Sequence, residues 1–294
     1  MGAGPQSRPW ALSRSHESKT MTKPIFRFAP SPNGYLHLGH AYSALFTWNA
    51  AAKADGEVLL RIEDIDIGRC RREYVEQIFD DLTWLGLSWR EPVRVQSEHF
   101  GDYRDAADVL SRKGLLYPCF CTRKQISAHA QGDFDLDGAV RYPGTCKHLS
   151  ADEVAQRKSN GEAFALRLDM AKALTVTGPV EQTFSELKEW GDVVLVRKDV
   201  PTSYHLSVVV DDALQGVTHV TRGVDMYAAT AVHLVLQRLL GLPSPHYQHH
   251  ELIKDDVGRK LAKSLEDQSL KDLRAGGLKI ADLLKLAGFE KLHS

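Results

Sequence analysis

No apolar run in this 294-residue chain approaches the ~18 residues that suggest a membrane-spanning helix, so a helical membrane protein is excluded. Excess charge of either sign is also lacking. The 37 Lys and Arg against 38 Asp and Glu leave a formal net charge of -1. That balance argues against a protein holding nucleic acid by bulk charge, while a local basic face stays open. Cysteine is sparse, with four in all, which argues against a disulfide framework in a chain of cytosolic character. Internal repeats are absent. Residues 1–21 contain no apolar core of a secretory signal and no helical or strand periodicity. Their Ser, Arg, Pro and Gly content fits a transit peptide weakly. A disordered tail, or an early start codon with Met21 as the true beginning, fits better, and a cytoplasmic location is expected.

What is present has a clear rhythm. Residues 24–29 (PIFRFA) read as a short buried strand entering the turn SPNGYLHLG. An apolar, Ala-rich helix follows from His40 to Lys53, then a strand over 57–64 and a helix over 70–85 with apolar residues at 3–4 spacing. Strand, turn, helix, strand, helix at this spacing predicts βαβ units and a parallel sheet. Another helix covers 99–116, ended by Gly114. Residues 117–189 differ in character, with three cysteines and a Gly/Asp-rich piece, and read as an insertion. The segments 192–198, 203–212 and 219–223 read as resumed parallel-sheet material, and a helix over 226–240 is stopped by Gly241 and Pro243. The expected layout is therefore an N-terminal extension (1–21), a first core half (22–116), the insertion (117–189), a second core half (190–265) and a short helical remnant (266–294).

Three motifs carry chemistry. In Ala29-Pro30-Ser31-Pro32-Asn33-Gly34-Tyr35-Leu36-His37-Leu38-Gly39-His40, two prolines and a glycine force a tight turn after a strand. His37 and His40 then fall three apart at a helix start, where free N–H groups and the helix dipole favour phosphate. Gly39 lets a flat ligand approach the backbone. Imidazoles so placed can donate to phosphate oxygens as charge shifts in a transition state. The second motif is Lys260-Leu261-Ala262-Lys263-Ser264, which reads as a solvated basic loop or as a mobile clamp on a triphosphate. The third is Cys119-Phe120-Cys121 followed by Tyr142 to His148, where three thiols predict tetrahedral zinc with a Tyr or His as fourth ligand. His148 is the chemically better donor, since a phenol must first lose a proton with a pKa of about 10.

RFAPSPNGYLHLGH followed by RIED resembles the amino-terminal core of glutamyl-tRNA synthetases, with their HIGH motif and KMSKS loop. VVVDDALQGVTHVTRG is similar to the family's segment around the amino-acid pocket. The similarity spans about residues 24–265, and Ala262 departs from the usual loop Ser. The resemblance implies a Rossmann-type class I synthetase core, an α/β fold with an inserted zinc-containing α+β subdomain. It implies that His37, His40 and Lys263 stabilise phosphoryl charge, and that Gly39, Lys260 and Ser264 join them in binding ATP with Mg²⁺. For L-glutamate it implies a pocket from Arg27, Phe28, Ala29, Pro30, Ser31, Glu63, Tyr204 and Arg222. A ligand with two carboxylates and one ammonium suits guanidinium forks and a carboxylate. The resemblance also favours Tyr142 over His148 as the zinc ligand beside Cys119, Cys121 and Cys146. Only 30 residues follow Ser264, where glutamyl-tRNA synthetases continue into an anticodon-reading part. The shorter layout resembles glutamyl-Q tRNA(Asp) synthetases, which implies a monomer that forms glutamyl-adenylate without tRNA and esterifies queuosine in tRNA(Asp). Arg and Lys near 69–72, 123–124 and 271–274 are candidates for loop contacts no better than a solvated face. Charging of tRNA(Glu) and a non-catalytic binding module are the competing expectations.

Overall fold

The structure is a computed structural model that describes residues 23–128, 132–178, 187–252, 268–286 and 289. Residues 1–21 and the loop residues Lys260, Lys263 and Ser264 lie outside the described residues.

The first half follows the expected rhythm: β1 (Ile25–Phe28), α1 (Leu38–Lys53), β2 (Glu57–Ile62), α2 (Arg72–Trp84), β3 (Arg90–Val95) and α3 (Phe100–Arg112). β1 and β2 run parallel with Ile25 opposite Glu57, and β2 and β3 run parallel with Leu59 opposite Arg90. The third strand, β3, is one the apolar pattern does not announce. It begins Arg-Glu-Pro, a polar edge sequence that leaves its first half exposed.

Next come β4 (Leu116–Cys119), α4 (Arg123–Ala128), α5 (Ala151–Ser159), β5 (Ala165–Leu168), α6 (Met170–Thr177), α7 (Leu187–Trp190) and β6 (Val194–Val196). β5 is the central strand of an antiparallel sheet, pairing Leu168 with Leu116 on one side and Leu166 with Val196 on the other. The expected parallel strand over 192–198 is thus corrected: it closes this antiparallel sheet. Three valines and leucines cannot reveal the direction of their neighbour.

After β6 come α8 (Tyr204–Leu214), β7 (His219–Gly223), α9 (Tyr227–Leu240) and β8 (His246–His250), then short helices α10 (Leu270–Ala275) and α11 (Ile280–Leu286). β7 and β8 are parallel, with His219 opposite His246. They lie against the open edge of β1, where Thr218 N donates to Ile25 O at 2.9 Å and Ile25 N donates to Thr218 Oγ1 at 2.8 Å.

The segment 203–212, read from its valine run as a strand, is helical. Leu206, Val208, Val209 and Val210 are all buried, and a helix buried on every side shows no amphipathic stripe to read. It ends in a glycine turn: Gly216 adopts φ +68, Gly216 N donates to Ala213 O and Val217 N donates to Asp212 O. That paired closure is the left-handed glycine cap of a helix terminus.

Two cores cover the two faces of the parallel sheet. Phe26, Phe28, Val58, Leu60 and Ile62 pack with α1 and α2, while α3, α8 and α9 build the second core around Tyr103, Val209 and Val232. Because successive strand residues face opposite ways, the residues between those apolar positions turn together toward α8. They are Arg27, Leu59 and Arg61, and Arg222 turns the same way on β7, two residues after Val220, which packs with Leu59.

Candidate active site

The polar face under α8 holds a buried charge network. Arg61 is fully buried; its Nη1 donates to Asp212 Oδ1 at 2.8 Å and to Gln215 Oε1 at 2.9 Å, and its Nε and Nη2 donate to Glu63 Oε1 at 3.2 and 3.1 Å. Arg27 Nε reaches the same Asp212 oxygen at 3.3 Å, and its Nη1 donates to the Thr221 carbonyl at 3.2 Å. Burial would raise the Asp212 carboxyl, but Arg27, Arg61 and Arg222 outweigh it and hold it below the ordinary range. Glu63 is pushed up by burial, with Arg61 and Arg27 opposing.

Arg222 projects from β7 onto this face. Its Nη1 donates to the Tyr204 hydroxyl at 3.4 Å and its Nη2 to Thr230 Oγ1 at 2.6 Å, with His233 Nδ1 at 3.3 Å. Its Nε–H is buried and meets no acceptor, and among the described residues Arg222 forms no ion pair. The guanidinium also lies over the Tyr247 ring at 5.0 Å. Arg27, Glu63, Asp212 and Arg222 all act electrostatically on the Tyr204 hydroxyl, which burial raises. The structure therefore brings Arg27, Glu63, Tyr204 and Arg222 to one polar face, within electrostatic reach of one another.

The turn residues fall differently. The Pro30 carbonyl accepts from Glu63 N at 3.1 Å, which ties the turn to the end of β2. Ser31 is exposed on that turn. Phe28 points away into the α1 core, edge-on to Trp48 at 5.9 Å, so any contact it makes in the pocket comes from its backbone.

The turn ends at α1, whose N-cap is His37. His37 Nδ1 accepts from Gly39 N at 3.1 Å, and His40 Nδ1 accepts from His37 N at 3.2 Å. The imidazoles, 3.8 Å apart at their centroids, thus cover two N–H groups that the sequence left open to phosphate. A Cβ on Gly39 would stand 3.0 Å from His37 Cε1, so the glycine here makes room for that ring as well. Burial, aided by His37, lowers His40 to about 3, keeping it neutral with Nε2–H as its donor.

In the insertion, the Sγ atoms of Cys119, Cys121 and Cys146 lie within 4.8 Å of one another, and Cys121 and Cys146 are 3.5 Å apart. Three thiolates around a tetrahedral zinc, with Zn–S of about 2.3 Å, stand about 3.8 Å apart, so the set fits such an ion. The Tyr142 hydroxyl sits 3.7 Å from Cys121 Sγ and accepts from Cys146 N at 2.8 Å, while His148 is not part of this cluster. Arg167 lies 3.8 Å over the Tyr142 ring, while burial and then the Cys119 and Cys146 thiols push the phenol toward its neutral form.

Sequence reasoning missed Arg61, Asp212, Thr230, His205 and His233. The first had a signal, since Arg61 and Glu63 alternate with apolar residues as Arg27 does. Asp212 and His205 had none once their segment was read as a strand, while Thr230 and His233 lie on a helix that was read as one but not tied to the site. Of the candidate loop contacts, Arg69 pairs with Asp66, Arg72 with Glu76 and Arg274 with Asp80 and Asp81, which is how a solvated face behaves.

Comparison with known proteins agrees with this geometry. A family model described as tRNA synthetases class I (E and Q), catalytic domain, matches residues 25–288. A glutamyl-Q tRNA(Asp) synthetase of Rhodobacter capsulatus is 47% identical over 278 residues, covering 90% of this chain and 99% of the relative. A glutamate–tRNA ligase of Aquifex aeolicus is 38% identical over 266 residues, but the chain spans 55% of its length. Among solved structures, a glutamate tRNA ligase from Elizabethkingia meningosepticum in complex with its amino acid superposes with a TM-score of 0.69 at 26% identity, covering 87% of this chain. The chain spans 54% of that structure, about half. Among the described residues no helix is long and apolar enough to cross a membrane. With its parallel-sheet core and its pocket on one sheet face, this chain belongs to the class I tRNA synthetase (E and Q) family.

Proposed function

We propose that the chain activates L-glutamate with ATP and Mg²⁺ to glutamyl-adenylate without tRNA, then transfers the glutamyl group to queuosine in the anticodon of tRNA(Asp). The observation that carries the first half is Arg222: a buried guanidinium with no carboxylate partner among the described residues, sharing a pocket with Arg27 and Glu63. An uncompensated buried cation is costly, so the pocket suits an anionic ligand. Arg222 and Tyr204 receive one carboxylate of glutamate, Arg27 and the Ser31 turn orient the other, and Glu63 faces the ammonium. An α-carboxylate oxygen then attacks the α-phosphorus of ATP and pyrophosphate leaves. His40 donates from Nε2, and His37, Gly39, Lys260, Lys263 and Ser264 hold the phosphates; no protein nucleophile is needed.

The second half rests on the relative named glutamyl-Q tRNA(Asp) synthetase, which the chain covers almost end to end. A hydroxyl of the modified base's cyclopentene ring attacks the acyl carbon and AMP departs. Cys119, Cys121, Tyr142 and Cys146 would hold a zinc ion that supplies a structural cross-link between β4 and the loop before α5. The layout reads as a core in two halves (22–116 and 190–265) around the insertion (117–189), with 266–294 appended. Action as a cytoplasmic monomer completes the reading.

Glutamate-dependent ATP–pyrophosphate exchange without tRNA tests the first half. Acylation of queuosine-containing tRNA(Asp) with labelled glutamate, followed by nuclease mapping of the ester, tests the second. Label on tRNA(Glu) instead, or on tRNA(Asp) lacking queuosine, would replace it with the charging reaction named for the Aquifex relative. Metal analysis of the purified chain tests the zinc.

A further inference from the structure

Arg27 and Arg61 are each matched by a carboxylate, whereas Arg222 is held by neutral groups. A guanidinium only donates, so His233 Nδ1 must accept from Arg222 and the ring's proton must sit on Nε2. That Nε2 lies 3.2 Å from His205 Nδ1, which accepts in turn and leaves the second proton on His205 Nε2. The two rings meet edge to face at 5.3 Å, and Trp190 packs edge-on against His205 at 5.4 Å, fixing the outer ring. On the other side, Thr230 Oγ1 takes the Arg222 donor and has its own proton for His249 Nε2 at 3.0 Å. Burial and then Arg222 lower both inner histidines, His205 to about 4, in keeping with two neutral rings beside a cation.

We propose that His233, steadied by His205, is a specificity-positioning residue that fixes Arg222 through a neutral acceptor and so reserves its charge for the side-chain carboxylate of the amino acid. The inference rests on the glutamate-activating reading and deepens it by assigning the preference for glutamate over glutamine. A carboxylate at position 233 would satisfy the guanidinium within the protein. Arg222 would then meet a neutral amide oxygen about as readily as an anion, and the ligand's charge would no longer be rewarded. A neutral acceptor holds the fork in place without that loss.

The test is ATP–pyrophosphate exchange by the full chain with glutamate and with glutamine, alongside thermal melting. For His233→Asp, kcat/KM for glutamate is expected to fall about 100-fold and the glutamate-over-glutamine ratio at least about 30-fold. His233→Asn, whose Oδ1 replaces Nδ1 as a neutral acceptor, is expected to lose some turnover yet keep the ratio within about threefold. Should His233→Asp fail to fold, Thr230→Asp brings the same charge from the other side of the guanidinium and must shrink the ratio likewise. A carboxylate variant that folds with the wild-type ratio overturns the proposal, as does an Asn variant that loses the ratio equally. Wild-type protein without glutamate-dependent exchange would instead overturn the reading beneath it.

Discussion

The two sides of the pocket solve the burial of a guanidinium in opposite ways. On the β1–β2 side, Arg27 and Arg61 stand against Asp212 and Glu63, two cations and two anions with short contacts. On the β7 side, Arg222 is surrounded by a phenol, a hydroxyl and an imidazole. The first side is balanced within the protein, so Arg27 and Glu63 can meet a ligand without leaving a bare buried charge. The second is left one charge short and serves a ligand. A buried ion network is therefore no marker of a binding site by itself; the marker is the member lacking its counter-charge.

The sharpest way to test this contrast is Arg222→Met. It should lower kcat/KM for glutamate in exchange by about 1,000-fold or more, since a buried ligand carboxylate is left unpaired. Its urea midpoint should change little, because an uncompensated cation is removed. The reverse pattern belongs to Asp212→Asn, which strips the counter-charge from two buried arginines. A loss of about 3–5 kcal/mol in urea unfolding is expected. A loss confined to activity would break the comparison.

A third measurement carries the contrast to the insertion. Chelation, or Cys121→Ser, should lower the thermal midpoint by about 5 °C while the KM for glutamate stays within about twofold. A shifted KM would mean that the cross-link reaches the pocket.

The last test is the pH dependence. His40, His205, His233 and His249 all have proton affinity lowered by burial, His40 to about 3 and His205 and His249 to about 4. These histidines stay neutral in the fold while the unfolded chain binds protons below a pH of about 6.5, so stability should be full above that value and fall as pH drops toward 4. Urea midpoints at pH 7 and pH 5 check the sign. Equal midpoints would mean that the β7 side tolerates charge after all.

Much of this architecture was legible, and the exceptions have physical reasons. The strand–turn–helix opening, β2, α2, α3 and α9 follow from period and from glycine stops, and Gly241 does close α9 in a left-handed conformation. The resemblance named Arg27, Glu63, Tyr204 and Arg222, and these four lie within electrostatic reach of one another. The valine run of α8 misled because β-branched residues favour strands when nothing else decides, and tertiary burial decided otherwise. With that helix misread, Asp212 could not be placed beneath Arg27, nor His205 beside His233. Strand β6 failed for a different reason, because pairing direction is a property of two segments and the sequence of one cannot hold it.

Helix α8 has one more consequence. Tyr204 and His205 stand at its first turn and Asp211 and Asp212 at its last, so a single rod of eleven residues, about 16 Å long, anchors both sides of the pocket. Arg94, Gln96 and Tyr103 all bind Asp211 and pin the far end to β3 and α3. The gap between the two sides is in effect set by a caliper whose jaws cannot slide independently. An amino acid shorter by one methylene, such as aspartate, could touch one jaw or the other but would leave the opposite one empty.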